Sequence, residues 1–179
     1  MKTIFTTVLL LCFSAFGFAQ NSVNDISNTE LFSQIDGTLI KTEYVEIGKL
    51  KTSVLEVIIH NDLINNKRIT GVKFSYDNGV KTVNAQTRVV FIDKDEVDAL
   101  IKSIQIIKEQ ILPSKENHYT EVLFKTRGGF EAGCFFSLKN NQWNGYMNFV
   151  KNSRESYILL ELPDFDVLME LLRQAKQKL

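Results

Sequence analysis

Two stretches of this chain follow one plan, and that plan limits the folds open to it. "VFIDKDEVDALIKSIQIIK" begins at Val90 and "LLELPDFDVLMELLRQAK" begins at Leu159. Each passes from an extended apolar run through an acidic turn into an amphipathic helix. In the first, Asp93 with Glu96 three positions on has capping-box spacing. Val97, Leu100, Ile101, Ile104 and Ile107 then recur at helical spacing. In the second, Pro163 followed by Asp164 and Asp166 marks a helix start, since proline suits the first turn and acidic groups suit the positive end of the helix dipole. Leu168, Leu171, Leu172, Ala175 and Leu179 form its apolar stripe. At an offset of 68, Asp98 falls on Asp166, Leu100 on Leu168 and Lys108 on Lys176. An amphipathic helix must cover something, and here two of them follow strands.

The strands supply a second repeat. Gly-x-x-Phe-Ser occurs at Gly71–Ser75 and again at Gly133–Ser137, an offset of 62, so the second copy holds six extra residues around "NNQWNGYMNFVKN". Side chains two apart share a sheet face. Val72, Phe74 and Tyr76 therefore lie on one face, as do Cys134, Phe136 and Leu138, and each repeated Phe reads as core. The glycines read as places of close backbone approach or bulges. Further strands are expected near 38–47, 52–60, 87–92, 119–127, 143–150 and 156–162. "DLINNKR" and "TRGGF" read as hairpin connections, and Pro113 as a helix stop. The expected fold class is α+β. One antiparallel sheet is built from two tandem four-strand-plus-helix repeats, about 52–110 and 119–178, with both helices packed on one face.

The ends set the boundaries. Residues 1–19 read as a signal peptide: Lys2, an apolar run from about Val8 to Phe18, and the small residues Gly17 and Ala19 before Gln20. That run is shorter than the ~20 residues a membrane span needs. Leu11 before Cys12 is too large for a lipid-attachment site. Residues 20–36 are polar and read as an N-terminal arm with a short helix near 30–34, leaving 37–179 as a single domain. Removing 19 residues from 179 leaves 160, enough for one core. Lys2 leaves with the leader, so a balance of 21 basic against 21 acidic residues becomes one net negative charge. A near-neutral chain lacks the basic footprint of a nucleic-acid binder. Cys134 alone remains after processing. It lies in the apolar "GCFF" with no adjacent basic residue to lower its pKa, and reads as a buried structural thiol. The expected location is periplasmic or secreted, with no membrane span after cleavage.

Catalytic signatures are missing from the sequence. His60 and His118 stand apart, without the ligand spacing of a zinc site. "DKDEVD" (93–98) lacks the glycine and closing glutamate of an EF-hand loop and reads as an acidic helix start. No Gly-x-Ser-x-Gly elbow occurs, and no metal or cofactor is expected. Paired carboxylates for glycoside cleavage need no local motif. A small extracytoplasmic hydrolase with scattered carboxylates is therefore one alternative, and a structural subunit of an envelope assembly is another. The leading expectation is an exported, non-enzymatic binding or interaction module.

In overall make-up the chain resembles exported proteins of unassigned activity from Bacteroidetes-type bacteria, on the leader ending "FGFAQ" and the two Gly-x-x-Phe-Ser strands. No activity follows from that resemblance. The duplicated four-strand-plus-helix plan is also similar, in organisation alone, to the proteinaceous β-lactamase inhibitors, which grip a partner with a concave sheet. No motif is shared and no residue role is carried over.

Alternation gives one candidate surface. If Phe74 and Phe136 face the helices, Phe135 must point away, and if Ile92 and Leu160 face them too, then by alternation and the offset of 68 Phe91, Tyr157 and Leu159 join it. An apolar patch outside the core marks an interface or a ligand groove. These four residues are the expected binding surface; the alternative is that the N-terminal arm or a curled sheet covers that face, or that its strands are buried on both sides. The expected occupant is a protein partner, a second copy of the chain, or an apolar ligand.

Overall fold

The computed structural model describes residues 26–76, 87–150 and 156–179. The expected signal peptide, 1–19, lies outside the described residues, as do 20–25 of the arm. A short helix α1 (Asn28–Ser33) precedes four strands, β1 (Ile40–Leu50), β2 (Ser53–Asp62), β3 (Lys67–Tyr76) and β4 (Arg88–Asp93). One turn of 3-10 helix (Lys94–Glu96) leads into α2 (Val97–Ile106), which ends in a wide turn over Ile107–Ile111. Then come β5 (Glu121–Lys125), β6 (Glu131–Ser137), β7 (Gln142–Asn148), β8 (Ile158–Leu160) and α3 (Leu162–Lys176). No described helix is long and apolar enough to cross a membrane.

The fold is α+β, but the expected single sheet is two. Strands pair in the order β1-β2-β3-β4 and, separately, β5-β6-β7-β8, every pair antiparallel. The long link through α2 carries the chain away from β4. The second sheet then reaches β4 through the β5–β6 turn, not through a paired strand. In that turn Gly129 takes φ +87°, and a Cβ on Gly128 would stand 2.1 Å from the Phe91 carbonyl oxygen. Only glycine allows that approach.

Strand order also corrects the reading of Gly-x-x-Phe-Ser. Phe74 lies on the third strand of its sheet, and Phe136 on the second strand of the other. Phe74 pairs with Val90, and the same position in the second sheet is held by Met147, which pairs with Ile158. The two motifs therefore do similar work on strands that do not correspond. In both, Phe is buried on the inner face. In both, glycine admits a close neighbour on the other face: a Cβ on Gly71 would meet Thr29 Oγ1 at 2.4 Å, and one on Gly133 would meet the Val122 carbonyl at 2.4 Å. Leu138, expected to face inward, is exposed because β6 has already ended.

Both sheets and both longer helices contribute to one hydrophobic core. The Phe74 ring stacks on Phe130 at 5.2 Å and meets Phe149 edge-on at 5.7 Å, so the first sheet's central aromatic packs against the second half. Val97, Leu100, Ile104 and Ile107 face this core from the α2 region, with Ile101 half-buried. From α3 come Leu168, Leu171, Leu172 and Ala175, together with Phe165 and Met169, which the expected stripe left out. Phe136 is buried edge-on to Trp143 at 5.4 Å.

The N-terminal segment is pinned down. Asp93 Oδ1 accepts the Thr29 amide and hydroxyl at 2.9 and 2.8 Å, and Oδ2 accepts the Asn28 amide at 2.9 Å. Arg127 Nε, from the β5–β6 turn, approaches Oδ2 at 3.1 Å. The carboxylate thus satisfies N–H groups that helix geometry leaves without partners in the first turn, and ties α1 to both sheets. Glu96 accepts the Asp93 amide at 3.1 Å, as the capping-box spacing requires.

A candidate aromatic binding surface on the second sheet

The outward face of the second sheet is built from three strand registers. Leu123, Gly133, Tyr146 and Leu159 stand side by side across β5 to β8. Glu121, Phe135 and Asn144 form the next row, and Lys125, Glu131 and Asn148 the row on the other side. Gly133 decides the shape of the surface. A Cβ there would lie 3.3 Å from Tyr146 Cζ, so its absence lets the Tyr146 ring lie close over β6.

Four aromatic rings run in succession over this face. Tyr119 stacks with Phe135 at 6.4 Å, Phe135 tilts against Tyr146 at 6.2 Å, and Tyr146 stacks on Tyr157 at 4.5 Å. Tyr146 is wholly buried beneath its neighbours, whereas Tyr119 and Leu159 are each 60% exposed. Tyr119, Glu121, Phe135, Tyr157 and Leu159 line a cavity of about 360 Å3, within the usual size of small-molecule sites.

One carboxylate is set into this cavity. The Tyr146 hydroxyl donates to Glu121 Oε1 at 2.7 Å. Burial, then that hydrogen bond and one with Tyr157, drives the Tyr146 phenol far above its ordinary pKa, so it stays a donor. Among the described residues Glu121 forms no ion pair. Behind the sheet, Cys134 is buried, and its thiol is pushed up to about 12 by burial and by the Glu121 charge. A thiol so held is no nucleophile near neutral pH. His60 is also out of play. It is buried under Phe32 with Nδ1 on Thr42 Oγ1 at 2.8 Å, and desolvation holds it below its ordinary pKa. Among the described residues no group of three or more His, Cys, Asp or Glu side chains is placed to hold a metal ion.

Of the four residues expected to share a surface, the structure gathers Phe135, Tyr157 and Leu159. Phe91 is not among them. It stands half-buried on β4 of the first sheet, paired with Lys73 and beside the β5–β6 turn. Alternation assigns a side chain to a face but does not say to which sheet that face belongs. Sequence reasoning missed Tyr119, Glu121 and Tyr146. The available signal for Tyr146 was its place one residue from the inward Met147 in "WNGYMN". Tyr119 precedes its strand, and Glu121 reads as an ordinary exposed strand residue.

No protein-family model matches the chain, and neither curated proteins nor solved structures provide a match.

Proposed function

We propose that this protein is an exported, non-enzymatic binding module that uses the aromatic face of its second sheet. The carrying observation is the row Tyr119–Phe135–Tyr146–Tyr157 with exposed Leu159 around a cavity. Tyr119 and Leu159 are left exposed beside half-buried Phe135 and Tyr157, and a contiguous apolar patch of this kind marks an interaction or ligand site. Withdrawal of the thiol and of His60 from the surface favours binding over nucleophilic catalysis.

Two of the four edge strands, β1 and β5, disfavour strand addition. β1 carries Lys41, Glu43, Glu46 and Lys49, and β5 carries Glu121 and Lys125. Charges on an edge strand discourage pairing with another chain.

The module is read as a tandem duplication whose unit is four strands and a helix, β1 to α2 and β5 to α3, with both helices on the shared inner side. The first unit then starts at Ile40 and not near residue 52 as the sequence suggested, because 52–110 holds only three strands. The support is reciprocal. Asp98 pairs with Lys176, and Asp166 pairs with Lys108. These are the residues that correspond at the offset of 68, and i-to-j with j-to-i contacts are the signature of a two-fold axis. Export rests on residues 1–19. A mature chain beginning near Gln20, found by mass spectrometry of protein from its native host, is the expected result, and an intact Met1 on all of the protein overturns it.

Tyr119→Ser combined with Leu159→Ser tests the surface. Both side chains are mostly exposed, so the thermal midpoint should hold, since surface changes cost within about 0.5 kcal/mol. Ligand capture, read by displacement of an environment-sensitive apolar dye, should fall at least about tenfold. A double variant that captures the dye normally removes the face from the function. One that unfolds makes these residues a second core.

A further inference from the structure

The cavity on the second sheet is not simply greasy. Its lining holds three aromatic rings, one leucine and one carboxylate. The Glu121 charge is held in place by the Tyr146 hydroxyl and, among the described residues, has no cationic partner. Its influence reaches the thiol of Cys134 on the far face of the sheet. An apolar ligand carrying an acid, such as a fatty acid, would meet this charge head-on. A neutral apolar ligand would leave it unused.

We propose that this cavity binds a small free trimethylammonium compound, with the charge facing Glu121 and the methyl groups against Tyr119, Phe135 and Tyr157. This rests on reading the aromatic face as the binding site. Two arguments select the ligand. Aromatic faces attract cations through the ring quadrupole at exposed sites as well as buried ones, and a carboxylate beside them adds direct charge complementarity. A primary ammonium fits less well. It is strongly hydrated and brings three N–H donors, whereas this lining offers only Glu121 and the tyrosine hydroxyls as acceptors. Glu121 and Tyr119 are exposed, so a primary ammonium here would keep its water shell and gain little from the rings. A trimethylammonium group has no N–H to satisfy and presents methyl groups to the rings.

The test is a titration of the full mature chain with choline chloride, followed by NMR of the Tyr119 and Tyr157 ring signals at constant ionic strength. Saturable shifts of both residues are expected, with tetramethylammonium reproducing them. Glu121→Gln keeps an acceptor for the Tyr146 hydroxyl and removes the charge. It should weaken choline binding about tenfold while leaving the uncharged carbon isostere of choline unaffected. Three results overturn the proposal. The isostere binds as tightly as choline to the natural chain, which keeps the cavity as a site but for neutral ligands. Phosphatidylcholine vesicles bind while free choline does not, which assigns the face to membranes. Neither choline nor the isostere shifts any ring signal while the apolar dye still binds and is lost in the Tyr119→Ser, Leu159→Ser variant. That last result rejects the cation and leaves the broader binding role standing.

Discussion

On the first sheet, the row Glu46–Glu56–Lys73–Phe91 crosses the outward face. Matched by strand order and register, the same row on the second sheet is Leu123–Gly133–Tyr146–Leu159. Lys73 pairs with Glu56 at 2.7 Å and lies 4.8 Å over the Tyr44 ring, so the half-buried charges of the first row are closed on each other. The second has a glycine where the first has Glu56 and a tyrosine where the first has Lys73. The neighbouring row differs in another way. Ile58, whose counterpart is Phe135, is buried where α1 packs on the first sheet. Phe135 is left half-open, with Tyr119 from the link before β5 lying against it. One architecture therefore carries two unlike outer faces. The first is finished by the chain's own N-terminal segment and by charge, and the second presents rings.

Asp93 holds the first face shut, so its loss should give the largest effect on that difference. Asp93→Ala removes the acceptor for two backbone amides, a hydroxyl and Arg127. Orphaning such buried donors should cost about 2–3 kcal/mol. Hydrogen exchange should show α1 losing protection well before β5 to β8, because the carboxylate is its main tether. Arg127→Ala should loosen the β5–β6 turn without freeing α1. If Asp93→Ala leaves α1 protected, the segment is held by packing alone, through Phe32 on His60. The Tyr119 and Leu159 double variant comes next in size, for binding rather than folding. Any large loss of stability there would erase the contrast between a closed face and an open one.

Much of this was legible in the chain because it depends on local spacing. Helical spacing located both longer helices, and alternation separated Phe135 from Phe136 correctly. The β2–β3 and β5–β6 hairpins followed from turn chemistry, with Asn66 and Gly129 taking positive φ there. What stayed hidden depends on contacts far apart in sequence. Nothing local says that β4 and β5 do not pair, which split the sheet and set Phe91 apart. Nothing local brings Tyr119, Glu121 and Tyr146 together either, since that needs the β5–β6 and β6–β7 registers at once. Gly-x-x-Phe-Ser misled for the opposite reason. The motif records a local requirement, inward Phe beside approachable Gly, which two non-corresponding strands share.

The smallest expected effect bears on whether the two halves are related at all. Asp98–Lys176 and Asp166–Lys108 join the acidic start of each helix to the basic end of the other. The helices therefore run antiparallel, and the Asp98–Lys176 pair places charge where the helix dipole favours it, in the first turn of α2 and the last turn of α3. These pairs are largely exposed, and such pairs contribute only about 0.2–1 kcal/mol by double-mutant cycle. They add little to stability but mark the axis clearly. If that axis is a true two-fold, the cycles on the two pairs should give coupling of the same sign and similar size, both shrinking as salt screens them. Lys108 is the more sheltered lysine, so its pair should keep slightly more of its coupling at high salt. Charge reversal gives a second reading of the same geometry. Asp98→Lys alone should destabilise by placing like charges together, and adding Lys176→Asp should restore most of the loss. Asp166→Lys with Lys108→Asp should behave in parallel. Coupling at one pair and none at the other would mean that the correspondence at an offset of 68 has no counterpart in the helix interface, and the duplication would then rest on strand order alone.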